Sequence, residues 1–293
     1  MTSAQTTKPV TSEFPFTDAD FAQIANVAKS EFGLNLALSK KPLVYSRLAK
    51  RLRLRKLSTF QEYLSLLSDI NEDAEKTELL SALTTNVTHF FREFHHFETL
   101  NTTVLPALLT RAKNGDRIRI WSAGCSSGQE PYSLALSVLG AFPDASRYDI
   151  KILATDIDPN ILDRACQASY PKSELEAIPD AMHRFLDLKS GDPNNFTIGE
   201  AARNLVSFGV LNLISDWPIK GPFDVIFCRN VTIYFDAETQ RHLWTRFQNA
   251  LSPSGHLFIG HSERVTGTAT QAFRSIGVTS YQKNQPTVNA AGN

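Results

Sequence analysis

The chain has 293 residues, with 30 Lys and Arg balanced by 30 Asp and Glu, and only three cysteines. That length holds one large domain or two modest ones with a real core, and zero net charge provides no global field toward nucleic acid or an anionic membrane. No apolar run approaches the ~18 residues of a transmembrane helix, the opening MTSAQTTKPVTSEFPF has no apolar signal region, and Cys125, Cys166 and Cys228 are too scattered for a disulfide framework or a metal knuckle. A cytoplasmic protein with reduced thiols is expected.

Residues 1–15 and 283–293 read as short tails. From about 16 to 80 the pattern is helical: TDADFAQIANVAKSEFG opens on a Thr/Asp cap and closes on Gly33, a helix stop. The segment 40-KKPLVYSRLAKRLRLRK-56 carries eight basic residues and no acid. Arg47, Arg51 and Arg55 fall at i, i+4, i+8 and share one helix stripe. The stripe is either a solvated face or a docking surface for an acidic partner.

From about 117 short apolar strand candidates (RIRIWSA, DIKILATD, LVSFGVLN, FDVIFCRN, HLFIGHS) are interleaved with helix candidates (EPYSLALSVLGAF, PNILDRACQAS, AETQRHLWTRFQNAL). This alternation predicts an α/β fold with a parallel, doubly wound sheet. FRSIGVTSYQKN reads as one more strand. The interval 170–205 is too long for a connection and reads as an inserted subdomain with a helix and a hairpin near KSGDPNN.

The loop SAGCSSGQEP follows the first strand of the sheet, where glycines bring backbone close to a ligand at the carboxyl edge. Gly124 and Gly128 permit such an approach. The dinucleotide fingerprint and the P-loop are both absent, and Glu130 at the next helix start repels a phosphate. A cationic or zwitterionic ligand fits better, although acids are also common in first helical turns. Asp156 ends the second strand, where an acid accepts from two ribose hydroxyls or serves as a cap. Taken together, the loop, Glu130 and Asp156 suggest a nucleoside with a positively charged attachment, a description that S-adenosylmethionine meets. Asn212, Leu213, Arg229 and Asn230 end two further strands, and Tyr234 follows as either a site residue or a packing aromatic.

The runs TTNVTHFFREFHHF, WSAGCSSGQEPYSLAL, ATDIDPNIL, GPFDVIFCRNVTIYFD and SPSGHLFIGHSE, in that order, resemble the CheR family of chemotaxis receptor glutamate O-methyltransferases over about residues 18–283. The resemblance implies a class I S-adenosylmethionine-dependent methyltransferase, Rossmann-like and doubly wound. It implies an N-terminal helical domain (16–85), a methyltransferase domain (86–283) and a small inserted β-subdomain (about 170–205). Motif by motif, it implies cofactor contacts from Asn86, Thr88, Arg92, Glu130, Asp156, Asn212, Leu213, Arg229 and Asn230, with S-adenosylhomocysteine as product. It also implies that the basic helix, through Arg47, Arg51 and Arg55, faces the cytoplasmic helical bundle of transmembrane chemoreceptors. Neither nucleic acid nor membrane insertion is implied. A receptor C-terminal peptide tether is a further candidate partner, and recruitment to chemoreceptors the implied location. Ser122 stands where many methyltransferases carry an acid.

An acceptor glutamate is already ionised near pH 7, with an ordinary pKa of about 4.3, so no general base is required. Arg92 is the candidate for orienting a carboxylate, of the cofactor or of the acceptor, through its planar fork, and Tyr234 for shaping the methyl channel. No metal is expected. His95 and His96 are discounted as base or ligands because neighbours on a helix should point apart. The competing functions are a nicotinamide oxidoreductase, a nucleic-acid methyltransferase, and a catalytically silent S-adenosylmethionine-binding regulatory module.

Overall fold

The computed structural model describes residues 13–69, 72–188 and 192–285. Parts of the expected tails (1–12 and 286–293) and residues 189–191 of the expected hairpin lie outside the described residues. The chain divides between Thr85 and Asn86 into two compact units. Among the described residues no helix is long and apolar enough to cross a membrane.

The first unit is built from α1 (Asp18–Phe32), α2 (Lys41–Arg55), α3 (Phe60–Leu67) and α4 (Asp73–Leu83). Helix α1 begins and ends where its sequence signals it should. Thr17 accepts from the Asp20 backbone N–H, the Asp20 carboxylate accepts from the Thr17 N–H, and Gly33 closes the helix at φ 74°. Val44, Leu48 and Leu52, at four-residue spacing, form the buried stripe of α2.

The basic stripe of α2 is partly engaged within the first unit. With 3.6 residues per turn, Arg47, Arg51 and Arg55 lie about 60–100° round the helix from that apolar stripe, so they flank the core and are drawn onto α4. Arg47 Nη1 donates to the Ala82, Leu83 and Thr84 carbonyls at 2.8–3.2 Å, capping the C-terminal end of α4, whose last carbonyls have no helical partner. Arg51 makes a bidentate pair with Glu75 (3.0 and 2.7 Å) and a third bond to Glu78 (2.7 Å). Arg55 pairs with Glu72 at 2.8 Å and is the most exposed of the three arginines.

The second unit starts with α5 (His95–Thr99), a π turn (Leu100–Val104) and α6 (Leu105–Lys113). An alternating region follows: β1 (Ile118–Ala123), α7 (Gln129–Ala141), β2 (Ile150–Asp156) and α8 (Pro159–Gln167). The insertion holds β3 (Ser169–Pro171), β4 (Leu186–Asp187), β5 (Asn195–Ile198) and α9 (Glu200–Arg203). The chain ends with β6 (Val206–Val210), β7 (Phe223–Cys228), α10 (Ala237–Ala250), β8 (Leu251–Ile259), β9 (Phe273–Gly277) and β10 (Ser280–Lys283).

Among the described residues, seven strands form one sheet in the order β6-β2-β1-β7-β8-β10-β9. The first five are parallel, and β10 is antiparallel to both neighbours. The order reverses between β1 and β7, which makes the gap between their carboxyl ends the topological switch point, where such sheets bind ligands. Strand alternation sends side chains to two cores. Ile120, Val225 and Phe227 join the cluster with Leu105 and Tyr132, whereas Trp121, Ile226 and Cys228 join Trp244 and Phe247 on the opposite face. Both faces are covered, so β7 is buried along its whole length, and it is apolar apart from Asp224, which pairs with Arg111 at 2.7 Å.

Two local expectations change. The C-terminal run is not one strand but the β9–β10 hairpin, turning at Val278–Thr279 with Thr279 at φ 46°. The expected helix of the insertion is replaced by two 3-10 segments (Lys172–Ala177 and Asp180–Phe185) and the four-residue α9, beside an antiparallel sheet in the order β3-β5-β4.

Arg51→Ala is expected to destabilise the first unit by up to about 3–5 kcal/mol, the cost of breaking a buried ion pair, because Glu75 is only 1% exposed and keeps just Arg55 Nε at 3.7 Å and the Tyr63 hydroxyl at 3.0 Å. Thermal and urea unfolding check this. A variant as stable as wild type would mean that Glu75 finds other partners.

Candidate active site at the switch point

Four parallel strand ends bring the expected residues to one edge. The loop after β1 is tied down by its neighbours: the Gly124 and Cys125 N–H groups both donate to the Thr155 carbonyl (2.8 and 2.9 Å), and the Ser126 N–H donates to Asp156 Oδ2 at 2.8 Å. Ser126 takes φ 51° to do so. The glycines serve packing as well as ligand approach. A Cβ on Gly124 would overlap the Val231 side chain, and one on Gly128 would lie 2.7 Å from the Tyr170 hydroxyl. Gly124 therefore allows the loops after β1 and β7 to touch across the switch point.

Asp156 ends β2. Its carboxylate accepts from the Ser126 N–H and from the Asp158 N–H at 3.1 Å. A carboxylate offers about four acceptor positions, so two further donors, such as a ribose diol, can be met. Burial raises its pKa, against the pull of these backbone donors. Burial also raises the Glu130 carboxyl, against the pull of Arg229 and of Ser122. Ser122 Oγ donates to Glu130 Oε1 at 2.6 Å, so the serine at the acid position of β1 supports the acid on α7.

Arg229, with its side chain 2% exposed, is the hub. Nη1 meets Glu130 Oε2 at 3.2 Å and Nη2 lies 3.5 Å from Glu93 Oε2. Nη2 also donates to the Arg92 carbonyl. This pins the 86–94 segment to the sheet. The same segment is held by Asn86, whose Nδ2 donates to Asp158 Oδ2 (3.3 Å) and whose carbonyl accepts from Ser126 Oγ (3.2 Å), and by the Phe91 N–H on Ser133 Oγ (3.0 Å). Thr88 is half-buried on this segment. Arg92 Nη1 donates to the Val87 carbonyl at 3.1 Å, and among the described residues no carboxylate pairs with the Arg92 guanidinium.

Asn212 Oδ1 accepts from the Ile214 N–H (3.1 Å), closing the turn after β6. The Leu213 side chain is buried, and its carbonyl accepts from Trp217 Nε1 and Arg246 Nη1. Asn230 takes φ 59°. Tyr234 ends a 3-10 turn (Thr232–Tyr234), and its ring packs against the core around Trp121 and Trp244. Phe91 (φ 50°), Glu93 (φ 53°), Ser126 and Asn230 are all non-glycine residues in left-handed backbone. They are four of the eight such residues among those described, and strain of this kind persists only where the surroundings over-determine the chain.

The histidines differ from expectation. Their rings meet, with centroids 4.2 Å apart, because consecutive helical side chains diverge by only about 100°. His96 is fully buried, its Nε2 lies 3.1 Å from the Val278 carbonyl, and burial together with Arg229 and His95 lowers its pKa to about 3. It is a neutral packing group. Glu93, His95 and His96 offer ligand atoms within 4.8 Å of one another, but a dication there would face the Arg229 guanidinium at the same Glu93 oxygen.

Sequence reasoning passed over Glu93, Ser126, Ser133 and Glu263. Glu263 lies four residues beyond β8, in the GHSE run, and is 4% exposed. For Ser126 and Glu263, which follow β1 and β8, strand-end position was the available signal.

S-adenosylmethionine is tested against this site by its unpartnered atoms. Asn230 Oδ1 and Arg229 Nε are buried without hydrogen-bond partners among the described residues, and Asp156 and Glu130 present desolvated carboxyls. An acceptor amide and two acids suit a zwitterionic, cationic nucleoside, and the residues present fit it. The doubly wound order, the acid-tipped second strand and this donor set define an S-adenosylmethionine-dependent methyltransferase.

Comparison with known proteins extends that class. Residues 86–282 match the family described as CheR methyltransferase, SAM binding domain, and residues 19–84 the CheR methyltransferase, all-alpha domain. The chain is 50% identical over 255 residues to a probable chemotaxis protein methyltransferase of Rhizobium etli, covering 86% of this chain and 95% of that protein. It is 43% identical to chemotaxis protein methyltransferase 2 of Pseudomonas aeruginosa, covering 92% and 94%, and 38% identical to the chemotaxis protein methyltransferase of Escherichia coli, covering 87% of each. The chain belongs to the CheR methyltransferase family.

A carboxyl whose pKa is raised by folding contributes stability that is fully present below its ordinary value and is lost as pH rises through the folded one. The unfolding free energy of wild type is therefore expected to gain on that of Asp156→Asn as pH falls from 7 to below about 3.9. Affinity of the variant for S-adenosylhomocysteine at pH 7 should drop roughly ten- to a hundredfold, ~1.5–3 kcal/mol for charge-assisted bonds. Calorimetry reads both. A pH-independent difference together with unchanged affinity would contradict this reading of Asp156.

Proposed function

We propose that the protein methylates glutamate side-chain carboxylates on the cytoplasmic helical bundle of chemoreceptors, giving methyl esters. The observation that carries this is Arg92, a planar cation on the site segment with no carboxylate partner among the described residues. The family membership and the relatives named chemotaxis protein methyltransferase support it. S-adenosylmethionine, when bound, supplies a methyl group on a sulfonium, whose leaving group is a neutral thioether. Asp156 holds the ribose, and Asn230, Arg229 and Glu130 order the opposite side of the site. Arg92 presents its two-point fork to a carboxylate, and Tyr234 lines the approach. The acceptor arrives ionised, so no side chain has to remove a proton. His96, buried and neutral, has no such task. The contribution of the protein is alignment, with reacting atoms ~3–3.5 Å apart.

For receptor docking, Arg55 is the candidate contact on α2, with Arg47 and Arg51 spent largely on holding α4. The small sheet of the insertion ends on the short edge strands β3 and β4, to which a receptor tether could add by β-augmentation.

Incubation with tritiated S-adenosylmethionine and receptor membranes should give base-labile label on receptor glutamates. In single turnovers at saturating cofactor, Arg92→Lys should lose more than tenfold, because an ammonium cannot reproduce the fork, whereas His95→Gln should stay within about threefold. Absence of base-labile label would refute the acceptor. A dead His95→Gln beside a near-normal Arg92→Lys would refute alignment without a base.

A further inference from the structure

The loop that carries Arg229, Asn230 and Tyr234 is held from behind by one acid. Glu263 Oε2 accepts from the backbone N–H of Asn230 (3.0 Å) and of Gly260 (2.5 Å). Glu263 Oε1 accepts from the N–H of Val231 (3.1 Å) and of Thr232 (2.7 Å), and from Thr232 Oγ1 (2.8 Å). Among the described residues no cation pairs with this carboxylate. An ionised group in a dry place is expensive unless its lone pairs are satisfied. Here the satisfaction comes wholly from N–H and O–H donors, four of the five on residues 230–232.

The arrangement is specific in shape. Three consecutive N–H groups converge on one carboxylate only if the backbone coils round it, and Asn230 takes its left-handed φ of 59° at that point. Gly260 is part of the cradle, since a Cβ there would lie 2.7 Å from Asn230 N and Nδ2 and 2.8 Å from Glu263 Oε2. The coil then sets Val231 against Gly124 and starts the 3-10 turn that ends in Tyr234.

We propose that Glu263 is a positioning residue for this site: as a buried carboxylate anchor it fixes the turn after β7, and so the placement of Asn230 toward the cofactor. Glu263 touches neither substrate and acts only through that turn. The inference deepens the proposed function and rests on its assignment of Asn230 to the cofactor.

The test is a double-mutant cycle on the full chain, read as S-adenosylhomocysteine affinity by calorimetry, with thermal unfolding confirming a folded state. Asn230→Ala and Glu263→Gln should each weaken binding by tenfold or more. An amide at position 263 keeps one acceptor oxygen but turns a donor toward N–H groups. The double variant should fall within threefold of Glu263→Gln, because Asn230 is already misplaced in it. A passive structural role gives no such coupling. Glu263→Gln binding within twofold of wild type, or a double loss equal to the product of the single losses, overturns the proposal. Unchanged affinity in Asn230→Ala overturns the cofactor assignment instead, with the Glu263→Gln result still read by itself. If Glu263→Gln does not fold, Thr232→Val removes only the hydroxyl donor. It should weaken binding about threefold, again without additivity toward Asn230→Ala, and wild-type affinity there overturns the proposal.

Discussion

The second unit depends on one buried guanidinium shared by two acids. Arg229 stands between Glu130 at the start of α7 and Glu93 on the segment before α5. Without it, two carboxylates would face each other in a poorly solvated place. With it, the 86–94 segment, the first turn of α7 and the end of β7 become one object. Burial and the pull of Arg229 act in opposite directions on both acids. The result differs between them: the Glu93 carboxyl is held below its ordinary value, with Arg229 and His261, whose backbone N–H lies 3.3 Å and Nδ1 3.1 Å from Glu93 Oε1, outweighing burial, whereas burial prevails at Glu130. Two acids on one cation, with pKa values pushed apart, are a mark of functional sites more than of simple scaffolding.

Sheet topology explains why the hub lies where it does. Reversal of strand order between β1 and β7 leaves a crevice that no crossover helix covers. The chain fills its margins with charge and with strained backbone and leaves the apolar material to the two cores on the sheet faces. Gly124 against Val231 and Glu263 beneath Asn230 close the crevice from two sides. Burial raises the Asp156 carboxyl at the end of β2 and the Glu130 carboxyl at the start of α7, so ionising either one there costs stability.

Much of this was legible in the sequence because it is local. The cap at Thr17, the stop at Gly33, the alternation of strands and helices and the polar strand ends all follow from neighbouring residues. What escaped is set by distant partners. The i, i+4, i+8 spacing placed Arg47, Arg51 and Arg55 on one stripe but did not say that Glu75, 24 residues from Arg51, waits beside it. Adjacent histidines met because a helical step of about 100° leaves two large rings within reach of each other. The role of Glu263 depends on four N–H groups that no pattern of side chains records. The final run read as a single strand because its turn, Val278–Thr279, lacks glycine and proline.

The sharing of Arg229 by Glu93 and Glu130 can be read from the pH dependence of unfolding of Arg229→Met compared with wild type from pH 7.5 to 5. Removing one member of a buried ion pair should cost about 3–5 kcal/mol at pH 7. Deprived of their cation, Glu93 and Glu130 should both titrate above the ordinary range, and groups raised in this way return stability as pH falls. The deficit of the variant should therefore shrink steadily on acidification. A deficit that is absent, or constant across that range, would contradict that sharing.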